Sequence, residues 1–450
     1  MTTTASDREA ALLQLNDLHP SLNAPALSAM TFLNEVAERF SGAVSFAAGR
    51  PFAGYFDVED IHRHLRTYCE HLRSERGFGE QQTAAALLQY GHTKGLINDV
   101  IARHLQNDEG ISVSPDAIVV TAGCQEAMYL TLRALRRDER DVLLAVTPTY
   151  VGITGAARLV DMPVLPVADG PDGLDLADLA AVVRQARSRG LRPRACYLVP
   201  DFSNPTGVSL SQETRTALLS LAEQEDILLL EDNPYGQFTL DGPRRPTLKS
   251  LDTTQRVIYL GSFAKTCFPG ARIGYAVADQ PVVDPGSGIG CLADHLSKIK
   301  SMVTVNTSPI TQAIVAGRLL ENGYSLVAAN QRETAAHRGR LRRLLRGLAE
   351  RFPEPADGSP AQVRWNTPDG GFFVVVSVPF TATDSLLEHS ARVHRVLWTP
   401  MHHFYDNAPP MRRLRLSCSA LSLEQIDDGL DRLASFIHQH TPREQKESDV

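Results

Sequence analysis

Lysine is scarce in this chain. Lys and Arg together number 45, yet only six are lysines: Lys94, Lys249, Lys265, Lys298, Lys300 and Lys446. Positive charge is not in excess either. The 52 acidic side chains leave a formal net charge of −7, which offers no attraction to nucleic acid or to an anionic membrane. No apolar run approaches the roughly 18 residues of a membrane helix. The opening MTTTASDREAALLQLNDLHP carries acids early and lacks an apolar signal core, so a cytoplasmic location is expected. Cys69, Cys124, Cys196, Cys267, Cys291 and Cys418 form no C-x-x-C pair, which argues for reduced thiols and against a disulfide frame or a zinc site. His402 and His403 are adjacent. Neighbouring side chains are expected to diverge, and no third ligand is spaced to join them, so no metal is expected.

What is present points to an α/β protein. At 450 residues the chain suggests two or three domains. AIVVTAG (117–123), DVLLAVTPTY (141–150), ACYLVPDFSNPTG (195–207), DILLLEDNPYG (226–236) and RVIYLGSFAK (256–265) read as buried strands, with amphipathic stretches such as SQETRTALLSLAEQE (211–225) between them. Such alternation predicts a mostly parallel sheet covered on both faces, with ligands gathered at the carboxyl ends of the strands. HRGRLRRLLRGL (337–348) is arginine-rich, but Leu341, Leu344, Leu345 and Leu348 recur at helical spacing and predict a solvated helix with one buried stripe. GGFFVVVSVPF and RRLRLSCSAL then predict two strands before a final amphipathic helix, the texture of a smaller α+β domain. The expected division is a flexible extension over 1–26, a segment over 27–58 joining the small domain and a lid, a large domain over 59–320, a small domain over 321–441 and a mobile tail over 442–450.

The polar residues at the ends of these strands carry the chemistry. Lys265 follows the strand VIYLGS and is hemmed in by small residues. It could be a lysine snorkelling from a strand end, but four companions argue for more. Asp232 ends ILLLED, and a carboxylate delivered from a hydrophobic strand needs a cationic partner; its alternative is a helix N-cap. Asn204 lies in the turn SNPTG, which is otherwise a plain turn. Tyr235 sits three residues beyond Asp232, within reach of the same ligand. Arg272 brings a fixed positive fork seven residues beyond Lys265, or serves a surface ion pair. A lysine for an aldehyde, an acid for a ring nitrogen, polar groups for a phenolic oxygen and an anion site for phosphate are what pyridoxal 5′-phosphate requires. The anion site has a second part: TAGCQEAM passes from strand to helix through Gly123, opening the amides of Cys124 and Gln125 toward a phosphate, and Ser262 adds a hydroxyl.

SNPTG, EDNPYG and GSFAK-x6-R, in that order and spacing, resemble the class I and II aminotransferases of PLP fold type I, and the resemblance runs from about Leu27 to the last helix. It implies that Lys265 forms the Schiff base, that Asp232 pairs with the ring nitrogen, and that Asn204 and Tyr235 contact O3′. It further implies that Ser262, Arg272 and the amides of Gly123, Cys124 and Gln125 hold phosphate while Tyr150 stacks on the ring. Tyr90, in LQYGHTKG, would reach phosphate from a partner subunit, implying a homodimer with shared sites. Arg415, in LRLSCS, would grip the substrate α-carboxylate, a role that suits a bidentate guanidinium; its alternative is a strand-end arginine clustered with Arg412 and Arg413. Gly49 would let backbone approach the same carboxylate. FLNEVAERF, QYGHTKG, GCQEAMYLTLRAL and IKSMVTVNTS are similar to the aminoadipate and kynurenine-type branch, and within it to dihydroxyphenylglycine-type aminotransferases. His92, where many relatives place Pro, and Ala264, where many place Ser or Thr, depart from the family pattern.

The expected reaction is transfer of an amino group between an L-amino acid and an α-keto acid, the amine of Lys265 moving the α-proton. The same cofactor could instead support β- or γ-elimination, replacement or carbon–carbon bond formation, which these motifs discriminate poorly. A cofactor-binding transcription regulator would need a DNA-binding module, for which the stretch before Leu27 is too short. Side-chain specificity is expected from residues near Met30, Phe32, Phe52, Tyr55 and Phe404.

Overall fold

The computed structural model describes residues 11–441, apart from 287, 356–360 and 407 and the side chains of 26, 28, 30, 33, 34 and 37. The first ten residues of the expected extension and the whole expected tail therefore lie outside the described residues. The described residues begin with two short 3-10 turns and helix α1 (Pro25–Arg39), whose Ala29 packs on Val151 and Tyr150.

The large sheet has seven strands: β1 (Ile118–Thr121), β2 (Asp141–Thr147), β3 (Val164–Ala168), β4 (Arg192–Leu198), β5 (Leu228–Asp232), β6 (Val257–Ser262) and β7 (Gly274–Val277). Their order is β1-β7-β6-β5-β4-β2-β3, and only β7 runs antiparallel to its neighbours. Period-2 alternation sorts the side chains into cores on the two faces. Leu143, Tyr197, Leu230 and Ile258 enter one core, while Leu144, Cys196, Leu229 and Val257 enter another. Both faces are thus buried, which is why these strands read as near-continuous apolar runs.

The topology explains the clustering of polar residues. The strands β1, β2, β4, β5 and β6 all deliver their carboxyl ends to one edge. Antiparallel β7 starts at that edge, because Gly274 pairs with both Thr121 and Ser262. Whatever precedes Gly274 is therefore brought beside the ends of β1 and β6. Helix α2 (Cys124–Leu135) leaves β1 there, and helix α3 (Val151–Leu159) follows β2.

Helix α4 (Gln331–Arg351) carries the arginine-rich run. Leu341, Leu344 and Leu348 are buried and Leu345 packs partly against them, as the spacing predicts. Arg340 is an exception to the solvated face: it is buried, its Nε donates to the Leu421 carbonyl at 2.7 Å, and its guanidinium lies over the Phe52 ring at 4.4 Å. A second, antiparallel sheet has the order β8-β9-β11-β10, from β8 (Arg364–Trp365), β9 (Phe373–Ala382), β10 (Thr399–Pro400) and β11 (Met411–Ser417). Helix α5 (Asp384–His389) leaves β9, and the final helix α6 (Leu423–His440) covers the sheet with Ile426, Leu430, Leu433 and Ile437. Residues near the start of the chain join this unit. Val44 and Ser45 pair with Val396 and Leu397, and Phe46 enters the same core.

Candidate active site

A cavity of about 220 Å³ opens where the carboxyl edge of the large sheet meets the small one, lined by Lys265, Asp232, Tyr235, Asn204, Arg272, Arg415, Ser262, Cys124, Gln125, Tyr150 and Gly49, among others. Lys300 and Lys249 are buried, and each has a carboxylate: Lys300 lies 3.0 Å from Glu126 and Lys249 lies 2.6 Å from Asp279. Lys265, half-buried, forms no ion pair with a described residue. Its Nζ donates to the Gly49 carbonyl at 2.7 Å. Burial, then the guanidiniums of Arg272 and Arg415, depress its pKa to about 8. A structural lysine is held charged by an acid; this one loses its proton more readily than an ordinary lysine.

Asp232 ends β5 in a buried position, not at a helix N-cap. Its Oδ2 accepts from the Tyr197 hydroxyl at 2.7 Å, and the Cys124 thiol lies 3.6 Å from Oδ1. No cation forms an ion pair with it among the described residues, and burial raises its pKa to about 6 against the lowering effect of those two donors. A buried carboxylate whose hydrogen bonds come from neutral donors fits a protonated ring nitrogen. Tyr197 is the residue sequence reasoning missed. ACYLVP reads as plain core strand, and only the register of β4 against β5, with Tyr197 opposite Leu230, brings its hydroxyl to Asp232.

The anion cradle forms where β1, β6 and β7 meet. Gly123 caps α2 with φ of +80°, and a Cβ there would lie 2.4 Å from Nη2 of Arg272. Only glycine lets the guanidinium lie against the helix N-terminus. Arg272 makes no ion pair with a described residue, so its fork, the first amides of α2 and the Ser262 hydroxyl face the cavity together, an arrangement suited to phosphate.

Arg415 sits on β11 opposite Val375 and Thr399. Nη1 donates to Oδ1 of Asn204 at 2.6 Å, and Nη2 to the Ala47 carbonyl at 2.8 Å. Its guanidinium is sandwiched between Phe373 at 4.3 Å and Phe404 at 4.7 Å. Nε is buried without a partner, and burial lowers the pKa to about 10. A guanidinium this dry, with no ion pair among the described residues, is suited to receive a carboxylate. Gly49 is glycine for a packing reason, since a Cβ there would meet the Phe373 ring at 2.6 Å.

Of the remaining expected residues, Tyr235 is buried with its ring edge-on to Phe373 at 5.4 Å, and burial raises its phenol. Gln125 ties α2 to α3 through a 2.6 Å bond to the Gly152 carbonyl. Tyr150 lines the cavity from the start of α3. Tyr90 is 85% exposed and lines no part of the cavity. Ala264 lines it, whereas His92 is exposed. Of the residues expected to set specificity, Phe404 lines the cavity. Phe52 and Tyr55 line a second, smaller cavity on the other side of Lys265. Phe32 packs on His403, and the side chain of Met30 lies outside the described residues. The expectation that His402 and His403 diverge is not met. Their ring centroids lie 4.2 Å apart on a 3-10 turn, facing Asp384.

The sequence profile of the aminotransferase class I and II family matches residues 61–433. The chain belongs to the class I and II aminotransferases. One relative of this aminotransferase is the (S)-3,5-dihydroxyphenylglycine transaminase of Amycolatopsis orientalis, 52% identical over 425 residues, which cover 94% of each chain. Among solved structures, the Pyrococcus horikoshii kynurenine aminotransferase superposes with a TM-score of 0.77 at 27% identity, over 91% of this chain and 95% of the other. LysN, the α-aminoadipate aminotransferase of Thermus thermophilus, does so with a TM-score of 0.76 at 27% identity, over 95% and 99%. The fold is PLP fold type I, and the enzyme is a PLP-dependent aminotransferase acting on amino acids and keto acids. No helix among the described residues is long and apolar enough to cross a membrane.

If Lys265 is the amine that captures the cofactor, its shifted pKa should give capture by the apoenzyme a pH dependence. Only a neutral amine attacks a carbonyl. With Lys265 near 8, the capture rate followed by absorbance should rise about tenfold per pH unit below that value and level above it. A rate still climbing past about pH 10 would indicate an ordinary lysine and contradict the burial argument.

Proposed function

We propose that this aminotransferase moves the amino group of an aryl-substituted L-amino acid of the dihydroxyphenylglycine type to and from an α-keto acid, in antibiotic-type secondary metabolism. The observation that carries the substrate class is the 52% identity, over 94% of both chains, with an enzyme named for (S)-3,5-dihydroxyphenylglycine. An amino-donor panel with 2-oxoglutarate tests it. Arylglycines should exceed 2-aminoadipate and kynurenine in kcat/KM by at least about tenfold, the discrimination a shaped apolar pocket supplies. Equal or inverted values would overturn the reading. Release of the matching keto acid would separate transfer from elimination.

In this reading Arg272, Ser262 and the α2 amides would hold the cofactor phosphate, Tyr150 would lie against the ring, and Asn204 and Tyr235 would bond its phenolic oxygen. Asp232, positioned by Tyr197, would keep a proton on the ring nitrogen. When bound, PLP supplies the electron sink that makes the α-hydrogen acidic. The side chain of Arg415 orients the substrate by its carboxylate, with Gly49 beside it. The Nζ of Lys265 takes the proton from the substrate Cα, and its depressed pKa of about 8 keeps part of the amine neutral at neutral pH. The wall of Phe404, Val151 and Met128 excludes water from the exchange.

The exposed Leu88, Tyr90 and Met302, 71%, 85% and 85% accessible, support a homodimer in which Tyr90 completes the neighbouring site. The six free thiols support a reducing cytoplasm. A large domain over 59–320 would carry the cofactor, with the small domain over 321–441 and the 27–58 segment bearing on substrate access.

A further inference from the structure

We propose that Asp384, His402 and His403 form a binding site for a divalent transition-metal ion of the zinc class, beside the substrate end of the active site. Asp406, the nearest acid in the sequence, pairs with Arg158; the fold supplies a third ligand from 18 residues upstream of His402, at the start of α5. The 3-10 turn Met401–Phe404 turns both imidazoles the same way, with 35° between the ring planes. Nε2 of His403 lies 2.8 Å, and Nε2 of His402 3.6 Å, from the same Oδ1 of Asp384. All three ligand atoms lie within 4.8 Å of one another. Tetrahedral zinc with bonds of about 2.0–2.2 Å sets its ligands roughly 3.3–3.6 Å apart, so small side-chain adjustments suffice.

An ion pair alone accounts for this arrangement poorly. His403 saturates its hydrogen bond to Asp384 by itself. His402 stands too far from Oδ1 for a hydrogen bond, its side chain is only 13% exposed, and its Nδ1 is buried without a partner. Nε2, which points at Asp384 from beyond hydrogen-bond range, would gain a partner in a cation seated between them. Two imidazoles and a carboxylate, with a fourth position open to water, are the donor set of zinc-class ions.

The site is placed to act on catalysis. The turn that carries both histidines also carries Phe404, which stacks on Arg415 and accepts a hydrogen bond from the Thr149 amide at 2.9 Å. Phe32 of α1 rests on the His403 ring at 5.3 Å. An ion joining the turn to α5 would fix Phe404 and the seat of α1 together.

Holoenzyme freed of metal by chelator and dialysis, then titrated with Zn²⁺ by calorimetry, tests the proposal. One ion should bind per chain. Asp384→Asn and His403→Gln should each weaken binding at least about tenfold, with the circular dichroism and the visible cofactor spectrum unchanged. Absence of binding, or binding undiminished in both variants, would overturn the site. Should a variant fold poorly, the wild-type protein still decides. Zn²⁺ should protect His402 and His403 from ethoxyformylation mapped by mass spectrometry, and equal labelling with and without Zn²⁺ would also overturn it.

Discussion

Lys265→Ala is expected to reduce transamination by at least about 10³-fold, the upper part of the range for losing a positioned acid–base group and here compounded by loss of covalent attachment. Folding should be spared. The Lys265 amine makes one hydrogen bond, to the Gly49 carbonyl, and satisfies no buried carboxylate. The thermal midpoint should therefore stay within a few degrees of wild type while turnover collapses. Lys300→Ala should behave in the opposite way. It leaves Glu126 buried without the ammonium now 3.0 Å from it, which lowers stability and leaves the cavity chemistry in place. Keto-acid release and thermal melts on the two variants measure the contrast. A Lys265→Ala enzyme that turned over normally would remove the lysine from the mechanism.

Arg415→Ala carries the second large effect. Truncating one partner of a buried, hydrogen-bonded charge pair costs about 2–5 kcal/mol, or roughly 30- to 5,000-fold in kcat/KM. The expected loss applies to amino acids and not to the matching amines, which lack the carboxylate. Wild type should prefer the amino acid strongly, and the variant should lose most of that preference. Arg415→Lys should recover little, because an ammonium cannot reproduce the fork that reaches Asn204 and Ala47 or the stacking between Phe373 and Phe404. Equal losses for amines and amino acids would show that Arg415 only supports the fold around Asn204.

The fold is legible in the sequence wherever a strand is buried on both faces. The runs ending at Asp232 and Ser262 could hardly be anything else, and they place Asp232 and Lys265 at the active edge. The strands that carry no such mark are β3, which holds Pro166 at the sheet edge, and β7, four residues with a glycine at its head. The direction of β7 matters most, because its antiparallel course is what carries Arg272 to Gly123, a closeness otherwise implied only by family resemblance. Tyr197 is invisible because a buried tyrosine on a core strand has no sequence mark; its partner is set by register. Arg340 reads as solvated from its helix spacing, since its partners, Leu421 and Phe52, are remote in sequence. His402 and His403 mislead for a related reason. Adjacent residues point apart in a helix or strand, but the 3-10 turn at 401–404 sets their rings side by side.

Borohydride reduction of the holoenzyme, followed by peptide mapping, tests the chemistry most directly. Reduction should fix one cofactor per chain as a stable secondary amine on Lys265, bleach the visible absorption and end turnover. Label on another lysine, or none on a protein that remains active after reduction, would contradict the assignment of Lys265.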